Sequence, residues 1–597
     1  MRMLPHTKPY LPHRLNFSSH LRSHRPYCVP RARWSCLMAV SSSPQKGPSD
    51  QPDTGHNAGS GLSHGENSAD VENGHGADAD AHREYPVKRF VYVIANITAL
   101  SGLLFGYDIG GSGGTFEMAG FRRFFGWPAL GDKSDPAWVA NQQGWITAMF
   151  SLGCIVGSLP SGFLTDFMGR KRCIIFLSFV FTVGAVIQLV PSGYQMLLAG
   201  RFISGVGVGG LSMAATLYQS ETAPPKVRGL VVSIQQLSIT AGILLAGGLN
   251  VGLQHWDEGW RISYGGKGFF SLLLMLLMIC LPESPRWLVA QGKSEAAKAS
   301  LGRIRQEEEV EGELAGIEEA VEAEAQMEKG AWKDLVSPVD FMLYRTMLGF
   351  GVQLLQQFSG INAVMYFAPV IFKKFLASEM AILANLAVAL VNYLSTFLAL
   401  YLVDRAGRRL LLVCGGLGMA LFTALFALFT SAAFDYQNDK RLAGVIIACT
   451  ALYVMNFAYS WGPLAWVVSA EIFPQRLRGK CMTITTLANW LTNFCIAKAV
   501  PVMILPENLN LWGTFLFFAF CCFCMATFVL LLLPETKGVS LEDMKALFQV
   551  WITDTPLAEK LQLISRRAQV RARRKDRSES GQDGNREKDV GAGGARN

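Results

Sequence analysis

Twelve long, uncharged stretches of apolar residues constrain this chain of 597 residues more than any other feature. About 20 residues of α-helix cross the hydrocarbon core of a bilayer, and most of the stretches reach that length. The pattern therefore predicts an all-α integral membrane protein with twelve transmembrane helices. The stretches lie near residues 91–107, 143–164, 173–192, 194–218, 230–254, 268–282, 346–372, 380–403, 410–434, 442–468, 481–505 and 511–533.

The charge composition agrees with a membrane protein and argues against a nucleic-acid partner. Charged residues make up 17% of the chain, whereas soluble domains carry about 25%. The formal net charge of +8 comes from residues 1–49, which hold eight Lys or Arg and no Asp or Glu. Because this excess lies in a polar leader and not on a folded face, we predict no binding to nucleic acid.

The segments outside the apolar stretches indicate topology and targeting. Residues 1–85 are predicted to be a disordered leader and linker, and the first 49 resemble an organellar transit peptide in composition. Loops rich in Lys and Arg predict cytoplasmic loops and cytoplasmic termini under the positive-inside rule. Eight of the nine histidines precede residue 83 and are scattered, so we predict no metal site.

Three motifs occur twice in the same order, and the second copy follows the first by 238 to 252 residues. This repetition predicts two homologous six-helix halves, 86–282 and 341–534, separated by a Glu-rich linker with short helices, 283–340, and followed by a cytoplasmic tail, 535–597. Repeated halves around a midplane site are typical of alternating-access transporters. The repeated pairs are Asp166-x-x-Gly169-Arg170 with Asp404-x-x-Gly407-Arg408, Glu221-x-x-Pro224-x-x-x-Arg228 with Glu471-x-x-Pro474-x-x-x-Arg478, and Pro282-Glu283-Ser284 with Pro534-Glu535-Thr536.

Several further motifs resemble the sugar porter branch of the major facilitator superfamily, and within it the monosaccharide/proton symporters of plants and green algae. The similarity spans about residues 88 to 545. It implies a major facilitator fold with two pseudo-symmetric halves. The motifs are Gly106-Tyr107-Asp108, Gly200-Arg201, Pro282-Glu283-Ser284-Pro285-Arg286-Trp287, Gln356-Gln357-x-x-Gly360-Ile361-Asn362, Trp461-Gly462-Pro463 and Pro534-Glu535-Thr536-Lys537-Gly538.

The repeated acids and arginines are predicted to form gating ion pairs at the inner ends of the helices. Such pairs join helices that must separate when the inner gate opens, whereas arginines that only anchor the topology require no acid. We therefore favour gating over anchoring. The predicted gating residues are Asp166, Arg170, Glu221, Arg228, Asp404, Arg408, Glu471 and Arg478.

Asp108 and Arg201 are charged residues inside predicted spans. An ionised carboxylate near the bilayer centre costs roughly 2.5–3.5 kcal/mol, so it requires a partner or a water-filled cavity. Helix geometry places Asp108 about 7 Å and Arg201 about 10 Å below the same outer surface. We predict that the two charges pair in one state and that Asp108 binds a proton when they separate. The resemblance implies the same coupling role, and the alternative is a permanent structural ion pair.

A sugar site requires side chains that both donate and accept hydrogen bonds, and an apolar plate for the sugar ring. Amides inside the spans provide the former without a net charge, and each candidate amide matches a sugar-binding position of the family. Interhelical hydrogen bonding is the alternative role of such amides. The predicted substrate-binding residues are Phe105, Ile109, Gln236, Gln356, Gln357, Asn362, Asn392, Trp466, Asn489 and Asn493.

The first outer loop departs from the plant pattern. It contains Glu117, Arg122, Arg123, Lys133 and Asp135 and is predicted to form a small cover over the site. Plant members carry a cysteine that joins this cover to the other half, and the loop here has none. We therefore expect packing alone to hold the cover.

These features together predict a proton-coupled hexose symporter that works by alternating access on a glucose-like monosaccharide. Asp108 favours this function over a passive facilitator on the same fold, and a sugar sensor without transport is a further alternative. The predicted partners are the monosaccharide, the proton and the lipid bilayer. We expect a monomer with no cofactor and no enzymatic activity. The plasma membrane is favoured, and the plastid envelope is the alternative location.

Overall fold

The computed structural model describes residues 86–129, 137–224, 227–326, 331–474, 476–539 and 543–561. The predicted leader and most of the predicted tail lie outside these ranges. Within them the regular structure is helical, without β-strands. The all-α prediction is therefore confirmed for the part of the chain that the structure describes.

The N-terminal half contains nine helices, and three more helices follow in the linker. The linker helices begin directly after the sixth apolar stretch, where Ser284 caps the first of them by accepting a hydrogen bond from the backbone of Trp287. The helices of this part are α1 (Arg89–Phe116), α2 (Ala119–Phe124), α3 (Ala137–Ser158), α4 (Ser161–Met168), α5 (Arg170–Leu189), α6 (Tyr194–Thr222), α7 (Arg228–Leu253), α8 (Gly259–Gly265), α9 (Lys267–Cys280), α10 (Pro285–Ala290), α11 (Ser294–Ile304) and α12 (Glu307–Gln326).

The C-terminal half has the same order of long helices, and two of its spans are each divided into two helices. One break lies at Gly360, whose φ of 85° is in the left-handed region that favours glycine. The other lies at Ser460, between α17 and α18. The helices of this half and of the tail are α13 (Met342–Phe358), α14 (Ile361–Phe372), α15 (Ser378–Ala406), α16 (Arg408–Phe429), α17 (Lys440–Tyr459), α18 (Trp461–Glu471), α19 (Arg478–Met503), α20 (Asn510–Leu532), α21 (Met544–Gln549) and α22 (Leu557–Lys560).

Nine helical segments among the described residues are long and apolar enough to cross a membrane, and the pair α3 and α4, bent by 48°, makes a tenth. The remaining two predicted stretches correspond to the broken pair α13 and α14, and to α19. Both carry buried amides, which lower their mean hydropathy. Together these segments account for the twelve predicted stretches.

The sixth predicted stretch was placed too late in the chain. The structure has one span from Gly259 to Cys280, whereas the predicted stretch begins at residue 268. The difference arises because Lys267 interrupts the run of apolar residues. The predicted stretch therefore begins after Lys267 and omits the first residues of the span. In the structure Lys267 is the first residue of α9 and is buried.

Small residues bring the helices of the N-terminal half close together. A Cβ atom added to Gly106 of α1 would lie 1.8 Å from the carbonyl oxygen of Ile239 in α7. On α6, a Cβ atom added to Gly205 would lie 2.1 Å from the carbonyl oxygen of Phe150 in α3. Only glycine permits these approaches, which are typical of helix packing in membranes.

The linker helices define one end of the bundle, which we call the linker end. Lys88 donates a hydrogen bond of 2.9 Å to the carbonyl of Gly302 in α11, and Arg305 donates one of 3.0 Å to the carbonyl of Thr222 at the end of α6. The first helix begins at the linker end and finishes at the other end, which we call the opposite end. The repeated motifs lie at the linker end of both halves.

Candidate functional site

A cluster of three charged side chains is buried inside the N-terminal half. Asp108 of α1 accepts a hydrogen bond on Oδ1 from Nη1 of Arg201 in α6. Its second oxygen, Oδ2, accepts a hydrogen bond of 2.7 Å from Nζ of Lys267 in α9. The side chains of Asp108, Arg201 and Lys267 are at most 1% exposed. One carboxylate therefore contacts two buried cations, and we call these three residues the charged cluster.

Neighbouring helices orient the two cations. Nε of Arg201 donates a hydrogen bond of 2.9 Å to the carbonyl of Ile146 in α3, and its guanidinium lies 5.1 Å from the ring centroid of Phe150. Nζ of Lys267 donates a hydrogen bond of 2.8 Å to Oε1 of Gln188 in α5. Four helices besides α1 thus contribute to the cluster, so a shift between them changes its contacts.

A second cluster lies in the C-terminal half and consists of neutral amides on α13, α14 and α19. Asn489 donates hydrogen bonds of 2.7 Å to the side-chain oxygens of both Gln353 and Gln356. Its own oxygen accepts one of 3.1 Å from Nε2 of Gln357. Asn362 donates to the oxygen of Gln357 at 2.5 Å. We call these five residues the amide cluster, and it has no formal charge.

The amide cluster also contacts the break between α17 and α18. Nε2 of Gln356 donates to the carbonyl oxygens of Trp461 and Gly462, at 2.9 and 3.2 Å. Nε2 of Gln353 donates to the carbonyl of Ala465 at 3.3 Å. Amide side chains thereby donate to carbonyl groups near the start of α18, which joins the tenth stretch to the seventh.

The other predicted substrate-binding residues surround this region without joining the amide cluster. Asn493 accepts a hydrogen bond of 3.0 Å from Ser151 in α3, which links the two halves. Asn392 donates to the sulfur of Met365 at 3.7 Å. Gln236 lies on α7, and a Cβ atom on Gly462 would be 3.5 Å from its Nε2. Trp466 is half-buried on α18.

An aromatic contact connects the charged cluster with the amide cluster. Phe105, three residues before Asp108 on α1, packs edge-to-face against Trp490, with ring centroids 5.1 Å apart. Trp490 directly follows Asn489, and Ile109 directly follows Asp108 and is buried. Asp108 is therefore within one helical turn of Phe105, and Asn489 is next to Trp490. The contact between the two rings crosses between the halves beside both clusters.

The predicted gating pair of the N-terminal half is a two-point ion pair. Nε and Nη2 of Arg170 lie 2.9 and 2.8 Å from the two carboxylate oxygens of Glu221. Nη1 of Arg170 donates to Asp166 at 3.1 Å, and Glu221 also accepts from the hydroxyl of Ser284. The residues that the repeat predicts to act together are thus in contact within one half.

The corresponding pair of the C-terminal half has the same composition and a looser geometry. Nε and Nη2 of Arg408 both approach one oxygen of Glu471, at 3.3 and 3.1 Å. Thr536 donates to the other oxygen at 2.8 Å, as Ser284 does in the first half. Arg478 donates to the carbonyl of Phe473 at 3.5 Å. The side chains of Arg228 and Asp404 lie outside what the structure describes.

Comparison with known proteins agrees with this architecture. A family model described as "Sugar (and other) transporter" matches residues 94–548. The chain belongs to this family. Its membership identifies the protein as a multi-pass membrane transporter with the major facilitator fold.

Relatives and solved structures cover most of this transporter. Sugar transport protein 10 of Arabidopsis thaliana is 35% identical over 475 residues, which is 77% of this chain and 90% of the relative. H(+)/hexose cotransporter 2 of Parachlorella kessleri is 34% identical over 489 residues, 79% of this chain and 89% of the relative. A partially occluded, inward-open structure of the xylose transporter XylE from E. coli is 26% identical, with a TM-score of 0.63, and the match covers 76% of this chain and 100% of that chain.

The expectation that packing alone holds the cover of the transporter is wrong. Glu117, directly after α1, is fully buried at the opposite end, and its Oε2 lies 3.5 Å from Nζ of Lys373, which follows α14. Ser378 donates to the same oxygen at 3.3 Å, and Arg122 lies 3.5 Å from Oε1. An ionic contact between the halves therefore joins the start of the cover to the C-terminal half. Lys133 and Asp135 lie outside the described residues.

Sequence reasoning missed Lys267 and Gln353. Lys267 directly precedes the sixth predicted stretch, which begins at residue 268, and a window of the full 20 residues that cross a bilayer includes it as a single charge. Gln353 precedes Gln356 by three residues and Gln357 by four, the spacing that places side chains on one helical face. Extending the Gln-Gln motif back by one helical turn would have identified it.

Proposed function

We propose that this transporter is a proton-coupled monosaccharide symporter that works by alternating access on a glucose-like hexose. The observation that supports this proposal most directly is the chemical difference between the buried clusters of the two halves. A buried charged cluster suits proton coupling, and a neutral amide cluster across the interface suits a neutral sugar.

The chemistry of the amide cluster suits sugar hydroxyls. Each hydroxyl both donates and accepts a hydrogen bond, as does each side-chain amide. In the described structure the amides of Gln357, Asn362 and Asn489 bond to one another. A sugar would replace these mutual bonds with bonds of the same kind, so these three amides would keep hydrogen-bond partners when it binds. Gln236, Asn392, Asn493 and Trp466 complete the proposed site, and Phe105 and Ile109 border it.

The charged cluster supports coupling to a proton. Buried ionisable groups in a membrane protein are costly, and in transporters they mark proton pathways. Asp108 and Arg201 belong to different helices, so their separation during the transport cycle would change how strongly the cluster binds a proton. Phe105 and Ile109 place sugar contacts within one turn of Asp108, which provides a short route between the two ligands.

The names of the relatives are consistent with this proposal. The Parachlorella protein is named an H(+)/hexose cotransporter, and one solved structure is titled a proton:xylose symporter bound to 6-bromo-6-deoxy-D-glucose, with 28% identity and a TM-score of 0.64. Family relatives are transporters, which supports transport over catalysis for this chain as well.

Uptake into proteoliposomes tests the proposal. Labelled glucose is expected to accumulate above its external concentration when the outside is acidic, and to equilibrate without accumulation when no gradient is present. Addition of sugar to cells that express the transporter is expected to make the medium more alkaline, and Asp108→Asn is expected to abolish this change. Equilibration that ignores the gradient would identify a passive facilitator instead.

Topology, location and oligomeric state form the rest of the proposal. The basic loops support a cytoplasmic linker end with both termini in the cytoplasm. We place the transporter in the plasma membrane as a monomer, with the acid–arginine pairs of the linker end as inner gates. A fluorescent fusion with and without residues 1–85 tests the location, because a plastid signal that depends on the leader would contradict it.

A further inference from the structure

We infer that Ser151 is a positioning residue of the sugar site. Its hydroxyl holds the amide of Asn493 in the orientation that presents Nδ2 to a hydroxyl oxygen of the sugar, and it does so when the two halves are in contact at the opposite end. This inference rests on the proposed sugar transport and specifies how closure of the opposite end is coupled to sugar affinity.

The hydrogen bond between Ser151 and Asn493 crosses between the halves. The hydroxyl of Ser151 in α3 donates to Oδ1 of Asn493 in α19 at 3.0 Å. Both residues are fully buried. Because the interior has a lower dielectric than water, a hydrogen bond there is electrostatically stronger than an exposed one. A residue of the N-terminal half thus orients a proposed sugar contact of the C-terminal half.

Ser151 differs from other buried hydroxyls of α3 in its choice of acceptor. Thr147 donates to the carbonyl of Gln143 at 2.9 Å, and Ser158 donates to the carbonyl of Ile155 at 3.0 Å. Such bonds to the preceding turn are common for serine and threonine within helices. Ser151 donates instead to a side chain of another helix. Its hydroxyl bond therefore depends on the packing of the two halves.

The nitrogen of the same amide is available to a ligand. Nδ2 of Asn493 is buried and makes no hydrogen bond to the residues that the structure describes. The hydroxyl of Tyr366 in α14 is a neighbouring polar group and is likewise without a hydrogen bond there. A buried donor without a partner is destabilising, and a sugar hydroxyl oxygen can accept its hydrogen bond. Asn493 follows Asn489 of the amide cluster by four residues, which places Nδ2 beside that cluster.

The structure has the opposite end closed along α3 and α19. A Cβ atom added to Gly144 of α3 would lie 2.8 Å from the carbonyl oxygen of Lys498 in α19, and Nζ of Lys498 donates to the side chain of Asn141. Alternating access requires the halves to separate at this end when the site opens toward it. The separation moves Ser151 away from Asn493, and the amide then loses the partner that orients it.

The loss of this partner makes sugar affinity depend on the state of the transporter. A ligand shifts a conformational equilibrium only by the difference between its affinities for the two states. One hydrogen bond between neutral groups corresponds to about a fivefold change in an equilibrium constant. The sugar is therefore expected to favour closure of the opposite end about fivefold more strongly when Ser151 is present.

Ser151→Ala tests the inference by equilibrium binding of labelled glucose to the purified full-length transporter. The variant is expected to bind glucose about fivefold more weakly than the wild type. Ser158→Ala is the matched control, because Ser158 is a buried serine of the same helix that donates within its own helix. The control is expected to bind glucose as the wild type does. Equal affinities in the two variants overturn the inference.

Monodeoxy analogues of glucose separate positioning from a general disturbance of the site. The analogue that lacks the hydroxyl contacted by Nδ2 is expected to bind Ser151→Ala and the wild type with equal affinity. The other analogues are expected to retain the fivefold difference. A fivefold loss for every analogue indicates a general change in the site and contradicts a positioning role.

Spin labels on Trp138 and Leu509, exposed residues of the two halves at the opposite end, test the dependence on closure. Saturating glucose is expected to lower the ratio of long to short distances, and in Ser151→Ala to lower it about fivefold less. An equal shift in the wild type and the variant overturns the inference. Absence of glucose binding by the wild type contradicts the proposed sugar transport instead.

Discussion

The two halves of this transporter share their gating motifs and differ at their centres. At the linker end, Glu221 and Glu471 each accept hydrogen bonds from an arginine and from a hydroxyl. At the centre, the N-terminal half buries a carboxylate and two cations, whereas the C-terminal half buries five amides. The two halves therefore share one kind of ion pair at the linker end and bury different kinds of side chain at their centres.

The physical difference between the centres is the cost of losing a partner. A buried charge without its counterion is destabilising by several kcal/mol, whereas an amide without one hydrogen bond costs about 1–3 kcal/mol. Separation of charges in the charged cluster therefore carries a large free-energy cost. The amide cluster can exchange its internal hydrogen bonds for those of a ligand at small cost.

Loss of the carboxylate is expected to have the largest effect. Asp108→Asn leaves Arg201 and Lys267 buried without an acid, which we expect to destabilise the transporter by about 3–5 kcal/mol. Thermal unfolding in detergent measures this loss. The double variant Asp108→Asn, Lys267→Met removes one of the two cations and is expected to recover part of the stability. If Asp108→Asn is as stable as the wild type, loss of a partner in the charged cluster does not carry the large cost that distinguishes it from the amide cluster.

The two gating pairs are expected to respond unequally to the same substitution. Glu221→Gln removes a two-point ion pair whose acid is 6% exposed, whereas Glu471→Gln removes a single-oxygen pair whose acid is 27% exposed. We expect losses of about 3 and 1 kcal/mol in the free energy of unfolding, respectively. Denaturation of both variants under one set of conditions measures the difference. Equal losses would show that the two ion pairs stabilise the protein to the same extent.

Asn489→Ala tests the amide cluster. The substitution removes two donated hydrogen bonds and one accepted bond, so about 1–3 kcal/mol of sugar binding is expected to be lost, or roughly fivefold to 150-fold in affinity. Asn456→Ala is the control, because Asn456 bonds to the backbone of Leu452 in its own helix, α17. Equilibrium binding of labelled glucose measures both variants. A similar loss of sugar affinity in both variants would contradict a specific role of the amide cluster in sugar binding.

The contact between the halves at the opposite end is expected to have the smallest effect. Glu117→Gln weakens the interaction with Lys373, and we expect the equilibrium between closed and open states to shift by about 1 kcal/mol, or roughly fivefold. Spin labels on Trp138 and Leu509, exposed residues of the two halves, report the distance across this end. The fraction of long distances is expected to rise in the variant, and an unchanged distribution would contradict a bridging role.

Some features of the site follow from the sequence alone, and others do not. The similar depths of Asp108 and Arg201 follow from helix rise, and the repeated motifs indicate which acids and arginines belong together. The contact of Lys267 with Asp108 does not follow, because it depends on the rotation of α9 about its axis. The same holds for Asn489, whose partners lie 132 to 136 residues away in the chain.

The cover provides a second example of a contact that the sequence alone does not predict. The absence of a cysteine from that loop is visible in the sequence. The ionic contact of Glu117 with Lys373 is invisible, because the two residues belong to different halves and neither lies in a repeated motif. A polar residue at a loop boundary acquires a role only when the folded chain brings a partner to it.

Hydrophobicity over about 20 residues is a local property, so the amino-acid sequence is enough to predict twelve spans, the repeat and a membrane location for most of the chain. Which buried polar groups meet depends on the tertiary structure. Those contacts depend on how closely and at what angle the helices pack, and glycines such as Gly106 and Gly205 set these distances through contacts with other helices. The charged cluster of Asp108, Arg201 and Lys267 is therefore a product of packing and not of any single motif.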